Sequence, residues 1–155
     1  MSRWSVYERF CDLATVYLGL GSNVGDRAAY IGRAIQEMSN RGIQVNKISS
    51  LIETDPVGGP PQGKFLNAAV ECETALSPAN LLKILKSIEH ALGRVRTVTD
   101  GPREIDLDIL MYDQLNMTTP YLTIPHPKMH LREFVMAPLR EIAPDIAKDI
   151  KPCVS

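Results

Sequence analysis

Apolar and polar positions change period along the chain, and each change marks an element. From Thr15 to Leu20, Val16, Leu18 and Leu20 recur every second residue, the period of a strand, and the turn formers GSNVGD that follow predict a loop. Ile31, Ala34, Ile35 and Met38 then recur at helical spacing, with Asp26 in the position of an N-cap and Gly42 in that of a stop. Ile43 to Thr54 reads as one long strand, and its imperfect alternation, Val45 and Leu51 against Ile48 and Ile52, predicts a bulge. Phe65 to Thr74 alternates cleanly, turning Leu66, Ala68, Val70 and Cys72 to a core and Phe65, Asn67, Ala69 and Glu71 to the other side. Ser77 and Pro78 open a second helix, carried by Leu81, Leu85, Ile88 and Leu92 and closed by Gly93. In GPREIDLDIL, Ile105, Leu107 and Ile109 face one way and Asp106 and Asp108 the other. A turn and short hairpin over Tyr112 to Ile124, then a short helix and an APLREIAP tail, complete the chain.

The order β-α-β-β-α-β, with both helices amphipathic on one face, predicts an α+β, ferredoxin-like sandwich: an antiparallel sheet with two helices on one face, plus a C-terminal hairpin and short helix. That plan hosts RNA binders, regulatory modules and enzymes alike, so function has to be argued from a site.

Bulk properties narrow the choice. A chain of 155 residues fits one domain, read as 15–155, behind an N-terminal extension 1–14 that holds the only Trp, Trp4. A formal charge of −1 and a pI near 6.3 give no whole-molecule field for nucleic acid or an anionic membrane. No apolar run approaches the length of a membrane span. The three cysteines, Cys11, Cys72 and Cys153, are scattered and odd in number, which fits a reduced, cytoplasmic compartment.

The candidate chemistry centres on GPREIDLDIL. Two carboxylates on one pleated face repel unless a cation lies against them, and hard oxygen ligands of this kind suit Mg²⁺ with its retained waters and substrate phosphates; the bland alternative is a solvated strand face. Arg103 just upstream is suited to phosphate, and Arg94 and Arg96 lie in a basic loop between the second helix and this strand. Glu89, near a helix end where the dipole disfavours an anion, calls for an arginine partner in that loop. The loop DPVGGPPQGK, with three Pro and three Gly in ten residues, reads either as functional or as a surface connector. Phe65 and Asn67 beside it could stack on and bond a heterocycle, but taken by themselves they read as a solvated sheet face. Gly19 and Gly21 do not complete a GxGxxG phosphate loop and read as turn glycines, and His90 as a solvated flank residue.

Together LGLGSNVGDR, ETDPVGGPPQGKFLNAAVE, LGRVR, GPREIDLDIL and IPHPKMHLREFVMAPL resemble, in order and spacing, the 6-hydroxymethyl-7,8-dihydropterin pyrophosphokinase family, over roughly Val16 to Pro144. The resemblance implies a ferredoxin-like enzyme of folate biosynthesis that transfers pyrophosphate from ATP to the pterin hydroxymethyl group and releases AMP. It implies ATP as co-substrate and Mg²⁺, two ions, on Asp106 and Asp108. Arg94 and Arg103 would act on the phosphates with these aspartates as the catalytic set. Glu89, Arg96, His126 and Arg132 would serve ATP, while Thr54, Val57, Phe65, Asn67 and Phe134 would hold the pterin. Association with other folate-pathway enzymes is a further implication.

The chain departs from the family pattern in places. Asp100 stands where some members carry an aromatic cover and the RVRTVTD segment is shorter than theirs, so lid closure is expected to differ in detail; Asp55 and Pro127 also replace other residues. Two rival readings remain at this stage: a ferredoxin-like module that binds nucleotide or pterin without turnover, and an RNA-binding domain, which the acidic pair opposes.

Overall fold

The computed structural model describes residues 13–94 and 98–150. The Trp4 segment and Arg96 lie outside the described residues. In chain order the elements are β1 (Ala14–Ser22), α1 (Arg27–Asn40), β2 (Ile43–Ile48), β3 (Ile52–Thr54), β4 (Phe65–Thr74), α2 (Pro78–Ala91), β5 (Asp106–Tyr112), β6 (Met117–Thr118), β7 (Thr123–Ile124), a 3-10 turn (Met129–Leu131), α3 (Glu133–Ile142) and α4 (Pro144–Lys148). Ala14, read as the end of the N-terminal extension, is thus the first residue of β1.

The helix signals act as read. Asp26 accepts the backbone N–H of Ala29 at 3.1 Å, and Ser77 accepts that of Asn80 at 3.2 Å, each satisfying an orphan donor of the first turn. The apolar stripes Ile31, Ala34 and Met38 of α1 and Leu81, Leu85 and Ile88 of α2 are buried in one cluster with Val16, Leu18, Val70, Cys72, Ile105 and Leu107. Fully burying one such Leu or Ile is worth about 1.5–3 kcal/mol, so this face holds the sandwich together.

The sheet order is β2-β4-β1-β5, antiparallel, with β3 also pairing β4. This is the ferredoxin-like arrangement expected from the element order. Its central strand β1 lies between β4 and β5, so each β1 residue in the site half has a neighbour on either side. Gly21 is opposite Asn67 and Asp106, and Gly19 is opposite Ala69 and Asp108. Directly opposed residues share a face. Two rows therefore cross the sheet, each with a glycine in the middle and an aspartate at one end.

The structure corrects the sequence reading in four places. The long strand Ile43 to Thr54 is broken: Ser49 pairs its N–H with Ala69 O at 2.9 Å, and its hydroxyl accepts Ala69 N at 2.9 Å, so a side chain replaces part of the ladder before β3 resumes. The bulge itself is present, as a register shift between Val45 and Lys47, but Ile48 and Leu51 are left exposed. The second face of β4 is not solvated, because Phe65, Asn67 and Ala69 are all buried. The cause is the third correction: APLREIAP is no tail but the body of α3 and the start of α4, and α3 lies over β4 despite Pro138. Tyr17, Leu110, Met129, Met136, Leu139, Ala143 and Ala147 form a second core there. Ser50 N–H and hydroxyl donate to Glu141 at 3.0 and 2.8 Å, tying α3 to the break between β2 and β3. Finally, Gly19 and Gly21 lie inside β1 rather than in a turn.

Candidate active site

The two glycine rows make a trough. A Cβ on Gly21 would sit 3.1 Å from Asn67 Oδ1 and 3.5 Å from Phe65 Cδ1, so the missing side chain is the space above the sheet. Gly19, Gly21, Asn67 and Phe65 line the resulting cavity, with Asp106 and Asp108 on the β5 side and Phe134 on α3. Thr54, Val57, Arg103, His126 and Arg132 complete its wall. Asn67 Nδ2 donates to Thr54 Oγ1 at 2.5 Å, which fixes the amide and leaves its Oδ1 beside the glycine gap. Each aromatic carries an arginine: Arg103 lies 4.9 Å from the Phe65 ring centre and Arg132 5.7 Å from that of Phe134. Val57 is on the rim, 69% exposed.

Two loops close one end of the trough through Asn23. Its Nδ2 donates to Gln62 Oε1 at 2.7 Å and Gly63 O at 3.1 Å, while its Oδ1 and N–H bond the backbone N–H and O of Arg103 at 2.8 and 3.0 Å. Gln62 in turn donates to Asp100 O at 2.7 Å. Asp100 adopts a φ of 56°, which brings its carbonyl so close to Gly59 that any Cβ there would overlap it. The Pro/Gly loop thus has a packing reason for one of its glycines, and Asp100 and Asp55 both line the cavity.

The acidic pair is only half exposed, and its charges are balanced from behind. Arg94 Nη1 is 2.6 Å from Glu89 Oε2 and 3.0 Å from Asp106 Oδ1. Glu89 Oε2 also accepts the Leu107 N–H at 2.8 Å, and Glu89 is 3% exposed. The arginine partner that Glu89 calls for is therefore Arg94. Neither residue is among those lining the trough; the helix end places Glu89 beneath β5, where Arg94 neutralises it. Burial, then Asp106 and Glu89, push the Asp108 carboxyl up to about 7, with Lys86 and Arg132 opposing. His126 is pushed down by burial and by Arg132, with Asp106 opposing. Its Nδ1 accepts the Lys128 N–H at 3.2 Å, so in the neutral ring the proton is on Nε2.

A second cavity opens on the hairpin side of β5, between α2 and the β6–β7 turn, lined by Leu82, Lys86, Ile109, Tyr121, Leu122 and Thr123 among others. Asp108 and His126 line both cavities. Among the described residues no group of three or more His, Cys, Asp or Glu side chains forms a metal cage. Two hard carboxylates with open space beside them fit an ion that takes its remaining ligands from water and phosphate, as Mg²⁺ does. Of the residues singled out from the sequence, Thr54, Val57, Phe65, Asn67, Arg103, Asp106, Asp108, His126, Arg132 and Phe134 meet in one trough. Gly19, Gly21, Asn23, Gln62 and Lys86 were not foreseen; the glycine doublet in LGLGSN was the signal for the first two.

An α+β sandwich with an aromatic-walled trough on one side of an acidic strand and an open cavity on the other defines a protein with room for two small ligands that meet at that strand. The 7,8-dihydro-6-hydroxymethylpterin-pyrophosphokinase (HPPK) family matches residues 17–144. Over 134 residues the chain is 47% identical to a 2-amino-4-hydroxy-6-hydroxymethyldihydropteridine pyrophosphokinase of Bacillus subtilis, covering 86% of this chain and 80% of that one. It is 44% identical over 138 residues to the protein of the same description in Aquifex aeolicus, 89% of this chain and 86% of that one. In three dimensions it resembles Plasmodium falciparum HPPK-DHPS, solved with pteroate, at a TM-score of 0.64 and 16% identity, over 83% of this chain but 38% of that one. That likeness concerns the fold. The chain belongs to the HPPK family.

Proposed function

We propose that the chain, as a single domain over 15–155, transfers a pyrophosphoryl group from ATP to the hydroxymethyl group of 6-hydroxymethyl-7,8-dihydropterin in folate biosynthesis. The observation that carries the reading is the sharing of Asp108 and His126 by two cavities, one walled by aromatics and one on the hairpin side. Direct transfer between two bound substrates needs two pockets that meet at the reacting centre.

In this reading the pterin lies in the trough between Phe65 and Phe134, with Asn67 and Thr54 reading its amide-like edge and Val57 covering the rim. The nucleotide lies in the hairpin-side cavity, its phosphates toward Asp108, His126 and Arg132. The hydroxymethyl oxygen attacks the β-phosphorus, the bond from that phosphorus to the oxygen of the α-phosphate breaks, AMP leaves with the electron pair, and the hydroxyl proton passes to solvent. Asp106 and Asp108 would hold Mg²⁺, two ions, whose charge offsets that of the triphosphate and favours the ionised hydroxyl. The chain's own part is positioning and electrostatics: Arg103 and, after leaving Asp106, Arg94 supply planar donors to the phosphates, with Arg96 in the same basic segment. Glu89 acts from beneath the strand by holding Arg94 and Leu107 rather than by touching the nucleotide.

Incubation with ATP, Mg²⁺ and the hydroxymethyl-dihydropterin, followed by chromatography, should yield AMP and pterin diphosphate in equal amounts. ADP, or substrate binding without AMP, would point to another reaction or to a binding module. Association with other folate enzymes is part of the proposal. It is supported by relatives such as the bifunctional protein FolKE of Lactococcus lactis, of which the chain matches 39% at 41% identity. Among the described residues no helix is long and apolar enough to cross a membrane. A cytoplasmic location is proposed from the cysteine pattern.

A further inference from the structure

Lys86 stands one helical turn before Glu89 on α2 and lines the hairpin-side cavity together with Asp108 and His126. Its ammonium is 3.5 Å from Glu89 Oε1, and its side chain is 60% exposed. Glu89 does not depend on it, because Oε2 already takes Arg94 at 2.6 Å and the Leu107 N–H at 2.8 Å. The lysine end of this pair is solvated and its contact is longer than that of Arg94, so the ammonium can exchange Glu89 for a closer anion.

Among the described residues, the arginines around the acidic strand have partners of their own. Arg94 lies between Glu89 and Asp106, Arg103 against Phe65, and Arg132 against Phe134. Lys86 lines the same cavity as Asp108 and His126, so its charge lies on the wall where a triphosphate would meet the carboxylate. A flexible ammonium with a weak partner, at the wall of a cavity that also holds a carboxylate, is suited to follow a polyanion.

We infer that Lys86 is a triphosphate-binding residue, whose ammonium leaves Glu89 for the phosphates of ATP in the hairpin-side cavity. This rests on the pyrophosphoryl-transfer reading above. The contact forms on binding and persists through transfer, so it sets nucleotide affinity more than turnover.

The test is calorimetric titration with α,β-methylene ATP and Mg²⁺, an analogue whose bridging carbon cannot be displaced, on wild type, Lys86→Met, Lys86→Arg and Lys83→Met. Lys83 is an exposed lysine on the same helix that does not line the cavity. Lys86→Met is expected to weaken the analogue by about tenfold, the scale of one charge-assisted hydrogen bond, and to weaken AMP far less. Lys86→Arg restores affinity, Lys83→Met binds as wild type, and the thermal midpoint of Lys86→Met stays near that of wild type. Unchanged affinity in Lys86→Met, or an equal loss in Lys83→Met, overturns the inference. AMP formation by wild type, measured alongside, separates the two levels. If wild type makes AMP while Lys86→Met binds normally, only the role of Lys86 falls, whereas no AMP from wild type removes the reading beneath it.

Discussion

Arg94 Nη1 lies 3.0 Å from Asp106 Oδ1, so a residue assigned to the phosphates holds a carboxylate assigned to the metal. The same guanidinium is 2.6 Å from Glu89, which is almost fully buried. Arg94 therefore serves stability in the ligand-free protein as well as transfer. Arg94→Ala should lower the unfolding free energy by about 1–3 kcal/mol, because the buried Glu89 loses its 2.6 Å partner and keeps only Lys86 at 3.5 Å as a cation, and should also lower kcat. Thermal unfolding and steady-state kinetics on one preparation check both. A fall in kcat with unchanged stability would mean that Arg94 acts on phosphate alone.

Asp108 makes stability depend on pH in a stated direction. Its carboxyl is pushed up to about 7 by burial and by Asp106 and Glu89, so the folded state binds its proton more tightly than the unfolded state does. Protonation thus favours folding: the gain is complete below the ordinary aspartate range and is lost as pH rises through about 7. Asp108→Asn removes that loss. It should unfold about 1 kcal/mol or more above wild type at pH 8, a rise of roughly 3 °C, with the difference shrinking at pH 5. Equal midpoints at both pH values would show that Asp108 carries no such strain.

Gly21→Ala tests the trough. The added methyl would lie 3.1 Å from Asn67 Oδ1, inside the space assigned to the pterin and away from the hairpin-side cavity. The expected result is a rise of about tenfold in KM for the pterin, with KM for ATP near wild type and the fold retained. An equal effect on both substrates would contradict separate pockets.

Asn67→Ala probes recognition of the ring edge. Its amide is held by Thr54 at 2.5 Å, so the variant removes an oriented donor–acceptor pair without touching the acidic strand. Pterin binding should weaken by about 10- to 100-fold while nucleotide binding persists. Isothermal titration of each ligand separates the two, and normal pterin affinity would exclude the edge-reading role.

Much of this arrangement was legible in the chain because it depends on period and local chemistry. Alternation in EIDLDIL separates core from carboxylates, and Asp26 and Ser77 mark helix starts that need no tertiary information. What stayed hidden depends on what lies across the sheet. Phe65 and Asn67 by themselves read as a solvated face until α3 covers it, and α3 itself was obscured by Pro138 inside its span. Gly19 and Gly21 looked like turn residues because their reason is register, opposite Asp108 and Asp106, rather than backbone freedom. Asn23 had no local signal at all: it joins Gln62 and Arg103, 39 and 80 residues away.

The most direct test of the account is single-turnover AMP formation by Asp106→Ala beside wild type, with both substrates and Mg²⁺ saturating and the fold checked by circular dichroism. If the acidic strand is the wall at which the two substrates meet, the variant remains folded and AMP formation falls roughly a thousandfold or more. A folded Asp106→Ala protein that forms AMP at close to the wild-type rate would contradict it.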